Sequence, residues 1–233
     1  MNGRNDDGSR RDKVSAWLLR IGTAIVLAGA AMLLFVFGPV LREEVRYSFR
    51  GDAAKDARVT LDSRDASKSD MLVPVDPEYS IVIPKIGANV PVVADVDPLD
   101  PSVYRAALSK GIAQAKGTVA PGESGNTFLF AHSSDDFLTR GNYNTVFYLL
   151  DKLSVGDRFT IAYRGKLYGY RVFDRREVPA DRVEYLHALS EENTVTLMTC
   201  WPPGTDLRRL LVFGVLEPES GTGSARLDST GNP

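Results

Sequence analysis

The sequence predicts an all-β domain, a sandwich or closed barrel with short helices, carried behind one N-terminal transmembrane helix. Three observations lead there. Residues 21–41, IGTAIVLAGAAMLLFVFGPVL, hold no charge and are bounded by Arg20 and Arg42. Further on, runs such as NTFLFAH, RFTIAYRGKLYGYRVF, TVTLMTC and RLLVFGVL are rich in Val, Ile, Thr, Tyr and Phe, residues that suit a pleated, half-buried surface. These runs follow one another closely with few helical patterns between them, as in sandwiches and barrels.

Residues 1–20 form a short polar tail. The uncharged run 21–41 would reach roughly 31 Å as a helix at about 1.5 Å per residue, close to the ~30 Å hydrocarbon core. A core helix is rarely apolar on every side for that length. The run exceeds the apolar region of a signal peptide, and no small-x-small cleavage site separates it from LREEVR, so an uncleaved anchor is expected. Charge does not orient it. Arg4, Arg10, Arg11, Lys13 and Arg20 before the span are matched by Arg42, Arg46, Arg50, Lys55 and Arg58 after it.

Residues 42–74 read as a stalk or linker, partly helical or disordered, in which acidic and basic side chains mix with scattered apolar ones. The folded domain is expected over 75–217. Residues 218–233 are polar and Gly/Ser-rich and are expected to be disordered. No internal repeat is visible.

Within 75–217, YSIVIPKIGANVPVV offers two short apolar runs broken by Pro84, Gly87 and Pro91. DPSVYRAALSKGIAQA is helix-like, with Asp100 placed to cap it, and TVFYLLDKL is a second short helical pattern before a turn at Gly156. YRGKLY reads as a hairpin centred on Arg164, Gly165 and Lys166. TVTLMTC and RLLVFGVL are apolar on both faces, which predicts that they are central strands.

Composition narrows the chemistry. The net charge of −2 comes without a clustered basic face, which argues against a nucleic-acid partner. One cysteine, Cys200, excludes a disulfide within the chain, and one Cys with two His, His132 and His187, leaves no ordinary four-ligand zinc set. No metal or cofactor is expected. Cys200 is then an inert thiol, a redox-sensitive thiol or a nucleophile. An ordinary cysteine thiol, with a pKa near 8.5, is only a few per cent ionised at neutral pH, so a nucleophile needs a nearby base or positive charge. His132 ends the apolar TFLFA and begins the polar SSDD, a strand-end position from which a side chain can reach a cleft. Cys200 closes one strand; the loop WPPGTDLR follows, and Arg209 opens the next strand at the same end. A guanidinium there can hold a substrate backbone or an oxyanion and cannot act as a base. His187, in the polar DRVEYLHALSEEN, reads as a surface residue.

The segments IPKIGANVPVV, GTVAPGESGNTFLFAHSS, LLDKLSVGDRFTI and TLMTC followed by RLLV occur in the order found in one family. Over about residues 78–217 the chain resembles the sortases, membrane-anchored cysteine transpeptidases of Gram-positive-type cell surfaces. The resemblance implies a closed eight-stranded β-barrel. It implies His132 as general acid/base, Cys200 as nucleophile, and Arg209, which precedes LLV where the family pattern has its arginine, as oxyanion or substrate clamp. Arg208 is then a solvated neighbour. Thr199 and Leu197 match box positions that line the substrate groove, although Leu197 suits the core equally. The implied partners are surface proteins bearing a C-terminal sorting motif, an amine acceptor of the cell envelope or a pilin, and the lipid bilayer. The implied location is the cell membrane, single-pass, with residues 1–20 cytoplasmic and the catalytic domain on the extracellular side.

Two departures bear on subtype. Pilin-polymerising sortases usually carry a lid with an Asp-Pro-aromatic motif and often a second, C-terminal span. Here DPEY directly precedes the first strand of the domain, Glu78 fills the aromatic position, and the tail is polar. A housekeeping-like or class D/E-like anchoring enzyme is expected, with substrate preference left open by the TCWPPGT loop. The alternatives are a membrane-tethered L,D-transpeptidase, whose Ser-x-Gly-Cys-x-x-Arg box LMTCWPPG does not match, a cysteine peptidase, or a catalytically silent binding module on the same barrel.

Overall fold

Arg164 and Gly165 both adopt positive φ, 50° and 69°, the backbone of a two-residue hairpin turn whose twist matches the strands it joins. Lys166, expected within that turn, is already the first residue of the following strand. Turns of this economy let short strands follow one another around a closed surface. A computed structural model describes residues 6–49, 57–62, 71–133, 146–181 and 192–218. His187, most of the linker between residues 50 and 70, and the tail from residue 219 lie outside the described residues.

The chain divides into two units, Met1–Phe49 and Arg50–Pro233. The first contains one helix, α1, Asp6–Phe49. Its 44 residues would extend about 66 Å, so polar turns continue the helix beyond its apolar part. The stretch Trp17–Phe35 has a mean hydropathy of 2.1 and is long and apolar enough to cross a membrane. Its large side chains, among them Leu19, Val26 and Phe35, point outward and are exposed, as a lipid-facing helix requires. The helix also takes in the first residues of the expected linker, to Phe49.

The second unit begins with two short parallel strands, β1 (Arg58–Val59) and β2 (Met71–Leu72). Eight strands follow: β3 (Tyr79–Ile83), β4 (Ala88–Val96), β5 (Ile112–Ala115), β6 (Gly125–Phe130), β7 (Arg158–Tyr163), β8 (Lys166–Pro179), β9 (Asn193–Trp201) and β10 (Arg208–Leu216). They form a closed barrel in the order β10-β8-β7-β3-β4-β5-β6-β9, with β9 paired to β10. The pairs β4–β5 and β6–β9 are parallel and the others antiparallel. The choice between sandwich and barrel is thus settled by closure. One helix, α2 (Pro101–Leu108), carries the crossover between parallel β4 and β5. Asp100 caps it, its carboxylate accepting from the Ser102 hydroxyl and from the amides of Ser102 and Val103, and these bonds, the hydroxyl's foremost, hold the carboxyl below its ordinary range. The helical pattern stops earlier than its sequence suggested, because IAQA enters the barrel as β5. TVFYLLDKL supplies only a 3₁₀ turn at Leu150–Lys152.

The inner face holds Ile81, Ile83, Val90, Val92, Leu129, Ile161, Leu197 and Val212, all buried. Phe159 and Tyr170 stack inside, 5.5 Å between ring centroids. Gly214 of β10 lies against them; a Cβ there would stand 2.6 Å from Cζ of Phe159 and 3.3 Å from Cβ of Tyr170.

Each end of the barrel is plugged. Where β6 begins, the segment 116–124 folds over the opening. The Gln114 amide donates to the Val119 carbonyl at 2.9 Å and accepts from the Tyr79 hydroxyl at 2.8 Å, and the Gly122 amide donates to the Tyr170 hydroxyl at 3.1 Å. Burial pushes the Tyr170 phenol up to about 12, opposed in part by the Gly122 amide, and burial also pushes Tyr79 well above its ordinary value. At the other end, where β6 and β9 finish, lie the 3₁₀ turns Pro84–Ile86 and Leu150–Lys152. The Lys85 ammonium meets the Asp157 carboxylate at 2.6 Å, and the same oxygen accepts from the Ser154 amide.

Two outcomes follow from this packing. Gly214→Ala drives a methyl into Phe159 and should destabilise the domain by about 1–3 kcal/mol, read by urea unfolding. A folded Tyr170 that keeps its proton to about pH 12, against 10 for an ordinary tyrosine, contributes stability below pH 10 that is lost as pH rises through that window. Unfolding free energy should therefore fall between pH 10 and 12. The double substitution Tyr79→Phe with Tyr170→Phe should flatten that fall.

Candidate active site

Strands β9 and β10 carry Cys200 and Arg209, and His132 follows the end of β6. Cys200 is the penultimate residue of β9, and Arg209 is the second residue of β10. The antiparallel ladder pairs them directly, and directly opposed residues share a face with Cβ atoms ~4.5–5.5 Å apart. Arg208 is paired with Trp201, one step along. Its side chain therefore projects to the other face, where it is 51% exposed and stands 3.8 Å from the Glu177 carboxylate.

The third residue arrives on the parallel partner. The β6–β9 register ends with Phe130 opposite Met198, and the Ala131 amide then donates to the Met198 carbonyl at 3.1 Å. His132 follows two residues beyond the end of β6 at Phe130. Across β9 and β10, Cys200 and Arg209 stand directly opposite each other. His132, Cys200 and Arg209 are each half-buried, accessible at the rim while held by a buried strand.

Arg209 is anchored. Its Nη1 donates to the carbonyls of Asp206 and Arg208, each at 3.1 Å. The loop that supplies the first carbonyl is itself braced, because the amide and hydroxyl of Thr205 both donate to the Pro202 carbonyl, at 3.0 and 2.8 Å. The Trp201–Pro202 peptide is cis. The Asp206 carbonyl is part of this site and was not legible in the sequence; its only advance signal is its place three residues before Arg209.

Leu197 and Thr199 are the two residues matched above to box positions of the family's groove. Alternation along β9 turns both inward, away from the face of Cys200. Leu197 is 0% exposed and fills the core; Thr199 is 1% exposed, and its hydroxyl donates to the Ala131 carbonyl at 3.1 Å. Neither side chain opens onto the outer face. On that face Met198, half-buried, lies next to Cys200. Among the described residues no three His, Cys, Asp or Glu side chains gather closely enough to hold a metal ion.

A family profile for the sortase domain matches residues 81–217. Among solved structures, sortase C-1 of Actinomyces oris is 31% identical with a TM-score of 0.51, over 62% of this chain and 76% of that one. Sortase C1 of Streptococcus agalactiae, in complex with MTSET, is also 31% identical with a TM-score of 0.51, over 62% of this chain and 71% of that one. Sortase A of Corynebacterium diphtheriae is 25% identical with a TM-score of 0.51, over 60% of each chain. No curated protein matches the chain by sequence.

The two adjacent arginines provide a test of the register. A guanidinium on the face of Cys200 favours the thiolate, the form that reacts with alkylating agents. Arg209→Ala should therefore slow iodoacetamide labelling of Cys200 at neutral pH severalfold, and Arg208→Ala should leave it close to that of the native protein. The reverse order would mean that Arg208 faces the thiol.

Proposed function

Because this chain belongs to the sortase family and is a sortase-type cysteine transpeptidase, we propose that Cys200, His132 and Arg209 are its catalytic residues. The supporting observation is the direct pairing of Arg209 with Cys200 across β9 and β10, with His132 following the end of β6, the parallel neighbour of β9. In this reading the Cys200 thiolate bonds to the scissile carbonyl carbon of a surface protein's C-terminal sorting motif. The peptide C–N bond breaks, and His132 gives its proton to the departing amine. An acceptor amine of the cell envelope then attacks the thioester, its proton passes to His132, and Cys200 leaves as thiolate. Arg209 meets the charge that develops on the carbonyl oxygen, or clamps the substrate backbone. Its bonds to the Asp206 and Arg208 carbonyls both use Nη1, which leaves the other edge of the guanidinium fork for substrate oxygens.

We assign the acceptor to envelope anchoring in preference to pilin polymerisation. The aromatic residue of DPEY, Tyr79, is bound into the barrel: it is buried, begins β3 and donates to Gln114. A side chain engaged in that way supports a structural role for DPEY over a lid. Helix α1 would hold the enzyme in the membrane with the barrel on the extracellular side.

Transfer of a sorting peptide is the direct test, followed by mass spectrometry of the acyl-enzyme. Native protein should carry a hydroxylamine-labile acyl group on Cys200 and pass it to an added amine. Cys200→Ala should form none, and His132→Ala almost none. Arg209→Ala should lose about 10²–10³ in rate, as expected for one oxyanion-type donor. Arg209→Lys should stay poor, because an ammonium lacks the planar fork, while Arg208→Ala should change little. Acylation that survives Cys200→Ala would refute the mechanism.

A further inference from the structure

We infer that Thr199 is a positioning residue, whose buried hydroxyl holds the Ala131 carbonyl and thereby sets His132 at the level of Cys200. The inference rests on the catalytic reading of His132 and Cys200 given above. Thr199 immediately precedes Cys200, and Ala131 immediately precedes His132. The bond between them, 3.1 Å from Thr199 Oγ1 to the Ala131 oxygen, therefore joins the two segments one residue short of both proposed catalytic side chains. It lies at the edge of the regular pairing, which ends at Phe130 and Met198.

The surroundings of Thr199 are otherwise those of an apolar side chain. Its cross-strand partner on β10 is Leu210, itself without exposed surface, and Leu197 precedes it on the same inner face. A valine would fill the same volume. What the hydroxyl adds is a donor for a carbonyl on a residue that is 5% exposed, and a buried carbonyl of this kind is ordinarily paired. Because Thr199 faces inward, it acts on the reaction through His132. Without this bond the His132 backbone can drift from β9, and a displacement of about 1 Å at a reacting group can cost on the order of 10²-fold in rate.

Two pairs of variants of matched size isolate the hydroxyl in the full-length protein: threonine against Thr199→Val, and Thr199→Ser against Thr199→Ala. Thr199→Val should lower kcat about 10- to 100-fold with KM changed less than about twofold. Its pH profile of Cys200 alkylation should move toward that of His132→Ala. Thr199→Ser should keep a profile and kcat close to native, with Thr199→Ala resembling Thr199→Val. Circular dichroism melts confirm that each variant is folded at the assay temperature, and the Ser/Ala pair carries the comparison alone if Thr199→Val does not fold. A folded Thr199→Val or Thr199→Ala with native kcat and alkylation profile would overturn the positioning role, as would Thr199→Ser as impaired as Thr199→Ala. Alkylation needs no substrate, so absence of turnover by native protein would sink the transpeptidation reading while the profiles still decide the role of Thr199.

Discussion

The pairing of β9 with a parallel neighbour on one side and an antiparallel neighbour on the other is the constraint on which the site depends. Each ladder is a set of backbone hydrogen bonds whose register admits no intermediate setting. A slip of one residue in β10 would turn Arg209 away from Cys200 and bring Arg208 to it, because successive side chains alternate faces. Closure of the barrel makes such a slip costly, since Leu210 and Val212 would leave the core in the same step. The apolar inner face therefore specifies the polar outer one: the leucines and valines that must be buried decide which arginine meets the thiol.

The two ends of the barrel divide the work. The end where β6 begins is closed by hydrogen bonds among Tyr79, Gln114, Val119, Gly122 and Tyr170, several of them with little access to water. Neutral phenols in such a place serve packing and pairing, and burial keeps them neutral. At the other end the plug is made of short 3₁₀ turns, with Lys85 of the first tied to Asp157 beyond the second. Cys200 and Arg209, at this end, are held by the β9–β10 ladder, and the loop between the strands braces Arg209 through the Asp206 carbonyl.

Much of this was legible in the residues. The strands β6, β7, β8, β9 and β10 announce themselves through β-branched and aromatic side chains, and Asp100 followed by Pro101 announces the start of α2. The uncharged run near the N-terminus marks a helix able to cross a membrane. Other features misled for identifiable reasons. GIAQA carries the small, helix-compatible residues of its neighbour, yet Ile112 and Gln114 are drawn into the barrel by β4 and β6, tertiary pairing overriding local preference. TVFYLLDKL has an apolar pattern because it covers a barrel end, which needs one turn of 3₁₀ helix and no more.

By itself the sequence determined the membrane-spanning composition of α1, the all-β character of the folded domain, and the candidacy of its single cysteine, one histidine at a strand end and one of two adjacent arginines. These are properties of composition, local periodicity and motif order. The tertiary structure decided closure over sandwich packing, the direct pairing of Cys200 with Arg209, and the inward turn of Leu197 and Thr199. Those depend on which strands become neighbours and in what register. Residues 132 and 200 are far apart along the chain, and no local pattern encodes that their strands pair in parallel. The buried faces of all eight strands select that arrangement together, by enclosing one core.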